Sequence, residues 1–384
     1  MRLSTWATGL VLCATPLAAQ EPWGASYYPY FLKGPNDQLS VVLHYQYGQP
    51  ADYFDRVPFA QSLSLEGGIN ASGSRFLIGH LKFPRLAPGW RLYGAAGAVR
   101  ENRFGYFGRG NDTEETEDPP AENTWVNRMR RSRYFGRVEL TRQLVGPLHL
   151  SLGGSITDAR FATLPGGSRF LDDHFIQVPC LPGEPCPQPP GDPSDVDVLG
   201  QVRLILDVRD NEFVASRGVF VEAGLETGSG GEGYSGAFVF ATGSIPPWEG
   251  AVLASRVLVR SIESGAPLDA RYTLHAWERS IPLLGGPESH RAFVYGRYTG
   301  RQVVVGSLEF RQDILNFGDY GAFTGIGFID AGMVQEVKAA ESNTLHVGGG
   351  VGLAMRILRS TVLQFTFAVG GDGFQFSMGS GWSF

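Results

Sequence analysis

The segment SHRAFVYGRYTGR, residues 289–301, concentrates arginine, aromatic side chains and glycine late in a long connection. A guanidinium carried into a protein interior needs an anion, because a charge removed from water is costly unless it is paired and hydrogen-bonded. If Arg291 lies inside, a carboxylate must wait for it. Other arrangements with chemical potential are weaker. GSGGEG at 228–233 matches G-x-G-x-x-G, but it joins two strand-like stretches rather than a strand and a helix, so it reads as a flexible hairpin. No Ser has Gly two residues away on both sides, and the seven His are scattered with no H-E-x-x-H. Asp172 and Asp173 read as solvated loop carboxylates. No catalytic constellation emerges, so neither an enzyme nor a cofactor is expected.

The elements that must position Arg291 are strands. Among 384 residues there are 52 Gly, 25 Phe and 14 Tyr, with only 18% charged residues, which favours strands over helices. A net charge of −6 argues against a nucleic-acid partner, which calls for a basic face. The N-terminus has one Arg, an apolar run from Trp6 to Leu17, then Ala18 and Ala19. It predicts a signal peptide over 1–20, cut near Ala19 or Gln20. Cys13 does not make a lipoprotein signal, because Leu12 precedes it where a small residue is expected. An exported chain meets an oxidising compartment, so Cys180 and Cys186 in VPCLPGEPCPQPP are expected to form a local disulfide; a metal would need two further ligands.

Strand periodicity is plainest at the C-terminus, GFQFSMGSGWSF. Phe374, Phe376, Met378, Trp382 and Phe384 fall on one face, and Gln375, Ser377, Gly379 and Ser383 on the other. LSVVLHYQY sets Leu39, Val41, Leu43, Tyr45 and Tyr47 against Ser40, His44 and Gln46. GQVRLILD sets Val202, Leu204 and Leu206 against Gln201, Arg203 and Asp207, and VLQFTFAV groups Leu363, Phe365, Phe367 and Val369. In RYFGRVELTR the polar face carries Arg133, Arg137 and Glu139. Aromatic residues at strand ends, polar residues on the opposite face and a leader predict a transmembrane antiparallel β-barrel, the closed form that satisfies every backbone group in lipid.

About 16 strands are expected, an even number as bacterial barrels have: 24–32, 38–47, 59–70, 74–83, 90–104, 132–143, 148–161, 198–209, 217–227, 234–245, 251–262, 303–313, 322–332, 344–355, 361–369 and 374–384. With both ends periplasmic, the long connections near 105–131, 162–197 and 263–302 all fall outside, and LVGP, IPPWEG and ILRS fall inside. The acidic run NDTEETEDPPAE (111–122) reads as a solvated outer loop. RMRRSR (128–133) has two readings, contact with lipid phosphates at the outer rim and, chiefly, alternate arginines that line the lumen and pair with acids such as Glu139.

These features resemble the bacterial surface antigen superfamily of outer-membrane barrels, the BamA/TamA-like group, over most of residues 21–384. LDVRDNEFVASRGVF (206–220) is similar to the family's turn motif, here Asp207, Arg209, Asp210, Arg217 and Gly218. FIDAGMV (328–334) resembles its Phe-x-Asp-x-Gly strand, and HRAFVYGRYTG resembles its Arg-Gly-Phe/Tyr loop motif. The resemblance implies that the long sixth outer loop folds into the lumen. It further implies that Arg291, with Phe293 beside it, meets Glu309 and Asp330 on the wall. Glu309 shares a strand face with Ser307 and Arg311, as such a wall position requires. Ala292 stands where the family has Gly, and the family's periplasmic POTRA repeats have no counterpart in the sequence. The resemblance implies protein insertion or translocation beside outer-membrane lipids and lipopolysaccharide, by a monomeric barrel acting on unfolded clients with a periplasmic or lipoprotein partner. A loop-plugged passive pore and a structural surface antigen are the alternatives.

Overall fold

A computed structural model describes residues 22–33, 36–52, 55–114, 127–162, 164, 194–336, 342–357 and 361–384. Residues 1–20, expected to be a signal peptide, Asp172, Asp173 and the Cys180/Cys186 pair lie outside the described residues. The strands are β1 (Gly24–Leu32), β2 (Ser40–Pro50), β3 (Phe59–Asn70), β4 (Arg75–Ala87), β5 (Trp90–Gly105) and β6 (Arg128–Val145). Then follow β7 (Leu148–Ala162), β8 (Ser194–Asp207), β9 (Gly218–Gly228), β10 (Tyr234–Ile245) and β11 (Ala251–Ile262). The short pair β12 (Thr273–Ala276) and β13 (Arg279–Pro282) lies within the sixth outer connection. The wall resumes with β14 (Gln302–Asn316), β15 (Gly321–Gln335), β16 (His346–Ile357), β17 (Thr361–Gly370) and β18 (Gly373–Ser380). All but β12 and β13 form one 16-stranded antiparallel sheet in chain order. Among the described residues no helix is long and apolar enough to cross a membrane.

The packing is inside out, as lipid demands. Val202, Leu204 and Leu206 are exposed on the outer surface, while Gln201, Arg203 and Asp207 are buried. Val41, Leu43, Tyr45 and Tyr47 face outward in the same way. With no water in hydrocarbon, exposed apolar side chains meet a matching solvent and the backbone groups are satisfied by neighbouring strands. The polar wall then needs a counter-surface within the lumen. The sixth connection supplies it: Leu274, Trp277, Leu283, Leu284, Phe293 and Tyr298 are buried against wall residues such as Phe220, Phe240 and Val303.

The last residues depart from the simple alternation. β18 ends at Ser380, Gly381 takes φ +85°, and its amide donates to the Val362 carbonyl at 2.8 Å. Phe374 stays on the outer surface, whereas Trp382 is buried and Phe384 lies beside lumenal Arg256 and Arg311. The expectation that all four aromatics share the lipid face is therefore corrected for Trp382 and Phe384. The left-handed glycine turns the chain inward.

Closure is uneven. Neighbouring wall strands elsewhere share long ladders, some with a register shift, but among the described residues β1 and β18 meet in one bridge, Lys33 with Met378, with both main-chain bonds at 2.9 Å. Such a directly opposed pair has its Cα atoms about 5.5 Å apart, within disulfide reach. In a chain with Cys180 and Cys186 changed to Ser, Lys33→Cys with Met378→Cys should cross-link on mild oxidation, read as a reduction-sensitive shift on a denaturing gel. Free thiols after oxidation would show that these strands do not meet in this register.

Candidate functional site

Three consecutive features of the chain bring Arg291 to its partners. Strand alternation on β14 points Ser307, Glu309 and Arg311 inward, and on β15 it points Phe328 and Asp330 inward. The wall guanidinium of Arg256 then seizes the loop just ahead of Arg291, donating to the carbonyls of Glu288 and Ser289 at 2.6 Å each and to Ser307 Oγ at 2.6 Å. Arg291 itself donates Nε to Asp330 Oδ2 and Nη2 to Asp330 Oδ1, both at 2.8 Å. Its backbone amide adds a third bond to Asp330 Oδ2 at 2.9 Å, and Nη1 donates to Glu309 Oε2. The guanidinium lies 3.6 Å from the Phe328 ring centroid. This is a bidentate, charge-assisted pair with a stacking face, the geometry for which arginine is suited and lysine is not. Glu309 is shared: its Oε1 accepts from Arg311 Nε at 2.6 Å, and Arg311 stacks on Trp382 at 4.0 Å.

The neighbouring residues complete the seat. Phe293 is buried between His290 and Tyr298, with centroids 4.4 and 5.3 Å away. Arg297 donates to Asp372 at 2.5 Å and to Thr113 Oγ1 at 3.0 Å, and Asn36 of the first outer connection exchanges bonds of 2.8 and 2.5 Å with Tyr295. Ala292 does not strain the backbone; among the described residues only Trp277 and Glu278 combine a side chain with positive φ. The room is made on the wall instead. A Cβ at Gly348 would stand 2.3 Å from the Ala292 methyl carbon, and one at Gly370 would stand 2.8 Å from it.

The loop also carries a hairpin that the sequence reading did not separate from the rest of the connection. β12 and β13 run down the lumen. Their turn residues Trp277 and Glu278 adopt φ of +34° and +58°, a conformation usually left to Gly or Asn. Arg91, at the periplasmic start of β5, holds this turn: its Nε donates to Glu278 at 3.1 Å and it stacks on Trp277 at 4.4 Å. The same guanidinium donates twice to Glu212 in the turn between β8 and β9, at 3.0 and 2.9 Å. Burial would raise the Glu278 carboxyl, but Arg91 overrides it and holds the group below the usual carboxylate range. The loop thus reaches through the lumen from the ends of β11 and β14, where it leaves the wall, to the opposite end of the barrel.

The turn motif has its own logic. Asp207 accepts from Arg209 Nε at 2.9 Å, Nη2 at 3.0 Å and the Arg209 amide at 3.1 Å, and also pairs with Arg56 at 2.9 Å. Asp210 caps the amides of Asn211, Ser216 and Arg217. Gly218 has φ +109°, and a Cβ there would lie 2.3 Å from the Val208 carbonyl oxygen. Arg217 enters the turn through its backbone; its side chain is exposed. Elsewhere on the wall, Arg131 pairs with Glu101 at 2.7 Å and with Asp269 at 3.4 Å, while Glu139 takes Arg137 and Arg203. Glu101, not Glu139, is the partner of the arginines in RMRRSR that point inward. Among the described residues no group of three or more His, Cys, Asp or Glu could hold a metal ion.

Comparison with known proteins agrees with this geometry. The Omp85 superfamily domain matches residues 60–382, and the chain belongs to that superfamily. BamA from Haemophilus ducreyi lacking POTRA domains 1–3 aligns over 94% of this chain and 70% of its own, with TM-score 0.56 and 14% identity. CdiB from Acinetobacter baumannii aligns over 92% and 59%, with TM-score 0.51 and 11% identity. CdiB from Escherichia coli aligns over 94% and 63%, with TM-score 0.58 and 10% identity. At these identities the likeness is one of fold, and the chain spans 59% to 70% of those structures. No curated protein matches the sequence. Barrels of the superfamily sit in the bacterial outer membrane and work with protein partners and clients rather than as enzymes.

Two predictions follow from the contacts of Arg291 and Ala292. Arg291→Ala strands the buried Asp330 carboxylate and takes one of the two arginine partners of Glu309, a loss of about 3–5 kcal/mol. It should expose the connection 263–301 to limited proteolysis and lower the yield of heat-modifiable barrel; wild-type resistance and yield would contradict the pairing. Gly348→Ala should likewise loosen the loop, because its methyl group meets Ala292, and adding Ala292→Gly should restore protection. A double variant as labile as Gly348→Ala alone would show that this contact does not set the fit.

Proposed function

We propose that this chain is an exported, monomeric outer-membrane barrel that assists insertion or translocation of unfolded protein clients, acting at the seam between β1 and β18 with a separate periplasmic or lipoprotein partner. Residues 1–20 serve as the cleaved leader and 21–384 as the barrel. The observation that carries the reading is the seam itself: among the described residues one bridge joins the edge strands, and glycine turns the chain inward directly after β18. An edge strand held so lightly offers its backbone groups to another strand, which is the general hazard and the general use of sheet edges.

Arg291, Phe293, Glu309 and Asp330 act in this reading as a lock that keeps the sixth connection inside. The seated loop reaches both flanks of the seam: Tyr295 bonds Asn36 just after β1, and Glu309 bonds Arg311, which stacks on Trp382 just after β18. A loop-plugged passive pore is the second reading. A cavity of about 410 Å³ beside the loop, lined by Tyr30, Glu66, Arg133, Glu288 and Trp382, favours it.

The test is the folding rate of an unrelated outer-membrane barrel, added from urea to liposomes that contain the purified protein. Folding faster than in empty or porin-containing liposomes, and slowed again when the Lys33→Cys/Met378→Cys seam is oxidised, is the expected result. Unaccelerated folding together with a stable single-channel conductance would replace this reading with the pore.

A further inference from the structure

The arginines of RMRRSR divide by strand parity, and those on the outward row meet further outward arginines on the neighbouring strands. On β6, Arg131, Arg133 and Arg137 point inward with buried Glu139, while Arg130 shares the outward row with exposed Tyr134 and Val138. Register extends that outer row across the neighbouring strands. Arg75 of β4 lies directly opposite Arg100 of β5, Arg100 opposite Ser132 of β6, and Ser132 opposite Arg160 of β7. The row shares its face with the outward apolar residues Leu77, Tyr134 and Ile156 and lies at the outer ends of the strands.

Adjacent strands are about 4.8 Å apart, and like charges directly opposed across a sheet repel. Arg75 and Arg100 nonetheless face each other, and among the described residues neither pairs with a carboxylate. Arg100 and Arg130 both donate to the neutral Asn102 Oδ1, at 3.0 and 3.2 Å, which holds two guanidinium groups side by side. Arg160 alone has an acid, Asp158, at 2.6 Å. Among the described strands, β1–β3, β8–β11 and β14–β18 put no lysine or arginine on their outward rows. In a chain of net charge −6 this cluster is a local feature, not a consequence of composition.

We propose that the outer ends of β4–β7 form a site for the phosphorylated headgroup of an outer-leaflet glycolipid, held by Arg75, Arg100 and Arg130, with Arg160 at its edge. A phosphate accepts from several guanidinium groups at once, so it converts the repulsion between Arg75 and Arg100 into shared charge-assisted bonds. The site faces the bilayer rather than the lumen, so its ligand arrives with its acyl chains already beside Leu77 and Tyr134. That location selects a lipid over a soluble phosphate.

The probe is the purified barrel in nanodiscs of phosphatidylethanolamine doped with bis-phosphorylated lipid A or with its dephosphorylated form, in EDTA so that no divalent cation bridges acids to the lipid. Lipid retained through detergent exchange is counted by native mass spectrometry. Wild type should retain the phosphorylated form preferentially, and Arg75→Gln/Arg100→Gln should reduce that preference about tenfold, equivalent to about 1.4 kcal/mol. The control Arg85→Gln/Arg142→Gln, at the periplasmic ends of the strands, should leave it intact. Heat-modifiable mobility verifies folding, and Arg75→Gln alone, at an exposed position, is read if the double variant fails to fold. Three results would overturn the site: no preference in wild type, equal loss in both double variants, or displacement of lipid A by millimolar inorganic phosphate.

Discussion

A charge taken out of water must be answered on the spot, and the interior of this barrel is organised around that requirement. Arg291 enters the lumen on a loop, where hydration is lost, and Asp330 returns three hydrogen bonds to it. Glu309 accepts from the third guanidinium nitrogen, Nη1, and its second oxygen accepts from Arg311. Phe328 supplies the flat face beneath the guanidinium. Five residues from a loop and two adjacent strands thereby hold one another, and the loop cannot leave without stranding the Asp330 carboxylate on the wall.

That requirement also explains why the sixth connection packs inside the lumen. An outer surface that suits lipid leaves the polar residues facing inward, and inward charges need partners. Wall pairs such as Arg203 with Glu222, and Arg260 with Glu226, meet some of the need. The loop meets the rest, with Arg256 gripping its carbonyls and Arg91 gripping its hairpin at the far end. The strained Trp277–Glu278 turn persists because Arg91 and Phe220 hold it from both sides. The one lightly held boundary is between β1 and β18, and the groups that fix the loop reach both of its edges.

Most of the wall was legible in the sequence because lipid enforces a period of two on every strand. The sixteen wall strands therefore appear in order, and Glu309 and Asp330 could be placed on the inner face. What escaped did so for local reasons. Thr273–Ala276 and Arg279–Pro282 are four-residue strands joined by Trp-Glu, which carries no turn signal. Trp382 and Phe384 continue the alternation on paper, but Gly381 breaks it by turning left-handed. RMRRSR spreads its arginines over both faces of β6, and Glu101, the last paired residue before a register shift on β5, was not visible as their partner. The Ala292 substitution was legible as a departure, but its compensation at Gly348 and Gly370 depends on strands far along the chain.

The most direct test of the central interaction is a double-mutant cycle on Arg291 and Asp330, using Arg291→Ala, Asp330→Ala and the pair, with unfolding of the barrel in urea as the readout. If the two groups hold the loop as one unit, the double variant will be little worse than either single variant, with a coupling of at least about 2 kcal/mol. Effects that simply add would mean that each residue acts alone, and would contradict the account of a lumen organised around their pairing.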